Sequence, residues 1–255
     1  MLHKNRVKNR THMTSFRVII ISFFCLILVG TLLLMLPISS RQRCVTSFPD
    51  AMFTAVSATC VTGLVVKDTA TYWSLFGQAV ILMLIQIGGM GVITVGLTII
   101  RASGRKIGLW QRSTMQESIS APQVGGIVKL TGFILKTSLI IEMIGAALLA
   151  PVFCNDLGIA KGLWYSLFHS ISAFCNAGFD ILGTTEQTFP SLTGYIANPL
   201  INIVIMLLIV IGGIGFLTWD DFCTNKWNLK RYRLQSKIIL VTTAVLILLP
   251  AIFFF

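Results

Sequence analysis

Residues 53–64 read FTAVSATCVTGL and residues 168–179 read FHSISAFCNAGF. Laid over one another without gaps, they place Phe53 on Phe168, Ser57 on Ser172, Ala58 on Ala173, Cys60 on Cys175 and Gly63 on Gly178. A second pair follows each motif: LIQIGGMG at 84–91 over LIVIGGIG at 208–215. The repeating unit is therefore an apolar span, a short apolar patch, SAxCxxG, and a second apolar span carrying GGxG. An internal repeat of this kind constrains the architecture before any local reading does.

Working outward, the surroundings of the motifs are those of a membrane protein. The chain has 255 residues, 55% hydrophobic and only 11% charged, with a mean hydropathy of +0.84. A soluble domain of this length has too much surface to be so apolar. Five runs, roughly 16–38, 74–100, 130–153, 199–218 and 236–255, are long enough to cross a bilayer as helices. The patches near 51–58 and 163–173 are too short to cross. The first run follows a basic start, but it is too long for a signal peptide and no A-x-A site follows, so it reads as an ordinary span.

The net charge of +11 is distributed by topology, which argues against a nucleic-acid partner. Of the 20 Lys and Arg residues, 15 fall before the first span, between the second and third, or between the fourth and fifth. The opposite side carries Arg41, Arg43, Lys67 and Lys161 beside five acids. This is the positive-inside pattern, with the N-terminus cytoplasmic and the chain multi-pass in the cell membrane.

Each unit crosses twice, so successive units point the same way, related by an axis along the membrane normal. The expected fold is all-α integral membrane, in parallel repeats of first helix, re-entrant pore helix and second helix. There are two complete units plus the first helix of a third. The segments are a basic N-terminus 1–15, a first unit 16–100, a cytoplasmic loop 101–128, a second unit 129–218, a loop 219–235 and a last helix 236–255.

The short patches, starting after Pro49 and Gly162, provide two to three helical turns, about halfway into the bilayer. The chain must then return as irregular backbone, which membranes tolerate only where it is buried in protein or lines water. Thr59, Cys60, Val61, Thr62 and Gly63, with Phe174, Cys175, Asn176, Ala177 and Gly178, are thus candidate pore-lining residues. Their carbonyls would replace the hydration shell of a cation, with the negative end of each pore-helix dipole behind them.

TCVTGL, CNAGF and the GGMG and GGIG helices resemble the Trk/Ktr/HKT superfamily of potassium transporters, with a close similarity to Ktr-type bacterial membrane subunits over residues 16–255. In that family four linked units surround one pore and each contributes one filter glycine. The resemblance implies that Gly63 and Gly178 are the first and second of these. It further implies potassium uptake, often sodium-dependent and written as symport, by a homodimer. A cytosolic ring of nucleotide-binding regulatory subunits would dock on the inner face. The cargo is potassium with sodium as a coupled ion, and no resident cofactor is expected. One more repeat period beyond Gly178 passes residue 255, so the chain is expected to be the N-terminal part of such a subunit. The alternative is a non-transporting fragment with a structural or interfering role.

The remaining signals are weaker. Glu142, inside the third span, reads as a cavity-lining or network residue, or as a structural hydrogen bond to a neighbouring helix. Gly88, Gly89, Gly91, Gly212, Gly213 and Gly215 read as close helix packing, with a gating hinge as the alternative. Asp220 and Asp221 read as solvated interface charge, and Asn198–Pro199 as a helix start. The six cysteines lack metal-ligand spacing and read as buried thiols. No nucleophile–base pair or paired acids point to an enzyme.

Overall fold

A computed structural model describes residues 14–91, 94–96, 108–118, 127–226 and 228–254. The basic residues before position 14, and Arg101, Arg105 and Lys106, lie outside the described residues. All regular structure described is helical: α1 Ser15–Met35, α2 Phe48–Thr59, α3 Leu75–Met90, α4 Leu109–Ser118, α5 Ile127–Leu157, α6 Ile159–Phe174, α7 Pro199–Gly213, α8 Phe216–Asn225 and α9 Leu234–Phe254. Short 3-10 turns occupy Pro37–Ser39, Thr193–Tyr195 and Leu229–Arg231.

The two units are built alike. α1, α2 and α3 pack on one another, as do α5, α6 and α7, and the units meet where α3 touches α6. One apolar core holds Leu34, Ala55, Trp73, Ile81 and Ile85 of the first unit together with Phe168, Ala177, Phe179 and Ile181 of the second. The second core joins Leu149, Phe153, Phe174, Ile201 and Leu208. The back of the second SAxCxxG loop is therefore part of the first unit's core.

Local chemistry accounts for the helix starts. The Ser47 side chain accepts from the Asp50 amide and Pro49 fills the first turn of α2, where a missing N–H costs nothing. The Asn198 side chain accepts from Leu200 and Ile201 at the head of α7, again with proline following. The Ser74 side chain accepts from Gly77 at the head of α3.

The helix ends depart from the hydropathy reading. The spans expected at 74–100 and 199–218 are not continuous: α3 stops at Met90 and α7 at Gly213. α7 and α8 meet at a bend of 95°. The cause is the last glycine of each GGxG. Gly91 has φ +85 and Gly215 φ +89, angles that end a right-handed helix and that glycine adopts without a Cβ penalty. Apolar residues continue past both breaks, so hydropathy cannot see them. Among the described residues three helices are long and apolar enough to cross a membrane, or four if α7 and α8 count as one bent span; α3 is shorter.

Three other boundaries shift. α6 begins at Ile159, not after Gly162, and its 16 residues make more than four turns, about 24 Å. Gly158, with φ +81, turns the chain so sharply that α6 starts at once. Gly162 then lies inside α6, where an added Cβ would overlap the Cys154 backbone of α5. The segments 101–128 and 219–235, expected as loops, contain α4 and most of α8. α4 folds back on α1.

Asp221 is not solvated charge. It is 3% exposed and accepts hydrogen bonds from the Arg233 amide at 3.0 Å and the Ser236 hydroxyl at 2.6 Å, capping the start of α9. Asp220 pairs with the Arg233 guanidinium at 2.8 Å. Asp221→Ala should lower stability by about 1–3 kcal/mol. That should register as a lower melting midpoint of the protein in lipid nanodiscs, whereas Asp220→Ala, at a half-exposed pair, should move it far less. Equal midpoints for the parent and Asp221→Ala would contradict the cap. Nor are the cysteines buried: Cys25, Cys44, Cys60 and Cys223 are exposed and Cys154 and Cys175 half-buried, all as free thiols. A chain whose apolar faces look outward to lipid has no reason to keep its thiols inside.

Candidate functional site

The site begins where α2 and α6 end. At the first helix end the Cys60 amide donates to Val56 O at 2.8 Å, Val61 to Ala58 O at 3.4 Å and Thr62 to Ser57 O at 3.0 Å. At the second, Cys175 donates to Ile171 O at 2.9 Å, Asn176 to Ala173 O at 3.0 Å and Ala177 to Ser172 O at 2.7 Å. The bonds match residue for residue. So do the backbone angles, left-handed at Val61 (φ 57) and Gly63 (φ 76) and at Asn176 (φ 58) and Gly178 (φ 70). Non-glycine residues rarely adopt that region, so Val61 and Asn176 are held there by the surrounding bonds.

The electrostatic consequence is directional. A tight turn with alternating backbone hand can gather amide N–H groups into an anion cradle. Here those amides are already bonded to the terminal carbonyls of their own pore helices. Three amides of each loop are thus spent on helix-end carbonyls, and each loop sits at the negative end of a helix dipole. Such an arrangement suits a cation and repels an anion.

Each loop is also strapped at its far end. The Ser57 hydroxyl donates to Leu64 O at 2.6 Å and Ser172 to Phe179 O at 2.6 Å. These two serines stand out in the repeat as identities, but sequence gives them no role. In the first loop Thr62 Oγ1 adds a bond to Ser57 Oγ at 2.8 Å. In the second, Asn176 Nδ2 reaches Ile209 O at 3.3 Å.

The candidate filter glycines come together. A Cβ built on Gly63 would lie 2.7 Å from Ala177 O and 3.2 Å from the Gly178 Cα, and one on Gly178 would lie 3.4 Å from the Gly63 Cα. Residues 115 apart in sequence thus face one another across the junction between units.

The GGxG motifs divide their labour. An added Cβ at Gly88 would overlap the Thr59 carbonyl oxygen, and one at Gly212 the Phe174 carbonyl oxygen. The first glycine of each motif lets a second helix pass directly against the base of a loop. At Gly89 an added Cβ would lie 2.8 Å from Cys175 Sγ, so α3 touches both loops. The last glycine, Gly91 or Gly215, is the helix break described above. Beside these glycines lies a cavity of about 620 Å³ whose lining includes Phe16, Gly88, Gly91, Gly215, Thr218 and Ile239.

Glu142 is not among the residues lining that cavity. It is 1% exposed, and both carboxyl oxygens lie 2.9 Å from Gln86 Nε2 on α3. Of the readings open at Glu142, the hydrogen bond to a neighbouring helix describes its surroundings. Sequence reasoning missed Gln86, and with it two further ties between the units. Trp164 Nε1 donates to Gln78 Oε1 at 2.9 Å. Asp68 accepts from the Thr71 amide at 2.7 Å and the Phe189 amide at 2.8 Å. Among the described residues no cluster of three or more His, Cys, Asp or Glu side chains could hold a resident metal.

Comparison with known proteins bears on this geometry. A family model described as a cation transport protein, TrkH, matches residues 1–253. The chain is 40% identical over 245 residues to the potassium/sodium uptake protein NtpJ of Enterococcus hirae, covering 96% of this chain and 52% of that protein. It is 41% identical over 245 residues to the Ktr system potassium uptake protein B of Bacillus subtilis, with 96% and 53% covered. To the Ktr system potassium uptake protein D of the same organism it is 33% identical over 240 residues, with 92% and 52% covered. The chain spans about half the length of the curated relatives it matches.

Proposed function

The chain belongs to the TrkH family of cation transport proteins, and from that premise we propose that it forms the potassium-conducting membrane part of a Ktr/Trk-type uptake system. The family is one of transporters, not enzymes. Potassium sheds water against carbonyls of the loops Thr59–Gly63 and Phe174–Gly178, above the Thr59 and Phe174 carbonyls that α3 and α7 cover. It then passes into the cavity beside Gly88, Gly91 and Gly215 and leaves on the cytoplasmic side. Selection rests on the number and field of those carbonyls. Sodium is a coupled or competing ion. A second copy of the subunit and a cytosolic nucleotide-binding regulatory subunit at the basic inner face are the partners, and the cell membrane, with a cytoplasmic N-terminus, is the location.

The single observation that carries this reading is the duplicate loop. Two segments with the same bonds and the same left-handed positions meet at Gly63 and Gly178, with three amides of each already bonded to its own pore helix. The test is growth of a potassium-uptake-deficient bacterium on low potassium. The chain is expressed as it stands and also joined to the C-terminal half of the Bacillus subtilis uptake protein B. Rescue by at least one form, lost on Gly63→Asp, is expected. Failure of both forms despite membrane insertion would contradict the proposal.

A further inference from the structure

The two matched octapeptides at 84–91 and 208–215 differ at two positions, Gln86 against Val210 and Met90 against Ile214. Only the first difference changes chemistry, since glutamine offers a buried donor where valine offers none. That donor meets Glu142 near the middle of α5, and both carboxyl oxygens share it at 2.9 Å. A carboxyl in an apolar span is costly unless it is bonded to protein. The pair therefore fixes the height and rotation of α3 against α5, helices of different units.

What α3 carries one turn further on makes this matter. Gly88 presses on the Thr59 carbonyl of the first loop and Gly89 on Cys175 of the second. The Ser170 hydroxyl of α6 donates to the Glu142 carbonyl at 2.6 Å, which ties the same turn of α5 to the second pore helix. Gln86, Gly88 and Gly89 lie within four residues of one helix, so a slip at the first moves the other two. In the second unit Val210 cannot form such a bond.

We propose that Glu142 is a positioning residue for the ion filter: through Gln86 it locks the glycine turn of α3 beneath both filter loops at the junction between units. The role of those loops rests on the transport reading above, but the lock itself does not. Gln86 Oε1 is buried with no partner. A protonated Glu142 could donate to it once the amide turns, so the lock holds with the carboxyl in either state.

The test is the reactivity of Cys175 in the full chain in nanodiscs. The other cysteines (25, 44, 60, 154 and 223) are replaced by alanine. A methanethiosulfonate reagent then reads how tightly Cys175 is held against Gly89. Gln86→Val, which installs the residue the second unit carries naturally, and Glu142→Ala should each speed labelling about tenfold, since each strands a buried group. The exchanged pair, Gln86→Glu with Glu142→Gln, re-forms the bond with reversed polarity and should return the rate to within about twofold of the parent. Parent-like labelling in folded Gln86→Val would overturn the proposal. So would fast labelling that the exchanged pair does not rescue, because the effect would then not belong to the hydrogen bond. Labelling of the parent in potassium against choline is read alongside. Slower labelling in potassium is expected; no protection would overturn the filter reading while leaving the lock to be judged by the variants.

Discussion

Serine at Gly63 or Gly178 should abolish the preference for potassium over sodium. Both positions need φ near +70 to +76, where an L side chain costs about 1–2 kcal/mol. At Gly63 the added Cβ would also stand 2.7 Å from Ala177 O. The loop can relieve this only by turning a peptide plane, which removes a carbonyl from the ring that strips potassium of water. One carbonyl lost from a ring of few should cost about tenfold in discrimination. The check is ligand-linked stability. Melting midpoints are measured against potassium and against sodium, and the ratio of the concentrations that produce the same shift gives selectivity without requiring flux. The ratio should fall toward one in both variants. An unchanged ratio in both would remove these glycines from the filter.

The second large effect separates neighbouring glycines. Gly212→Ala places a methyl group into the Phe174 carbonyl, while at Gly213 the nearest atom to an added Cβ is Asn176 Nδ2 at 3.7 Å, an ordinary contact. Gly212→Ala must push α7 off the base of the second loop, and backbone against backbone offers no flexible side chain to yield. A loss of about 4 kcal/mol or more is expected, in the range reserved for overpacked cores, with little folded protein recovered. Gly213→Ala should be neutral or stabilising by up to about 1 kcal/mol, because Gly213 closes α7 without a positive φ and alanine there narrows the unfolded ensemble. Gly88→Ala should behave as Gly212→Ala does. Similar yields and melting midpoints for Gly212→Ala and Gly213→Ala would contradict the division of labour within GGxG.

Much of this was legible in the sequence, because repetition amplifies weak signals. SAxCxxG alone is a plausible outer turn, whereas two gapless copies in the same frame specify two re-entrant loops. The two loops share their bonds and their left-handed positions in the structure. Hydropathy failed where it has no information. It cannot tell a helix that continues past Met90 from one that stops, since the residues beyond are equally apolar and the determinant is the φ angle of Gly91. Charge counting failed at Asp221, which resembles an interfacial acid until the chain bends back and brings Arg233 and Ser236 onto it. Gln86 was passed over because an isolated amide in an apolar run carries no period. Its partner lies 56 residues away on another helix, a separation that no local pattern spans.

The central claim is that a cation binds between the loops at Gly63 and Gly178. The most direct measurement is anomalous scattering from rubidium in a crystal of this protein in which rubidium replaces potassium. The account predicts a rubidium peak within coordination distance of carbonyl oxygens from both Thr59–Gly63 and Phe174–Gly178. A peak that lies elsewhere while these loops stay ordered and empty would contradict it.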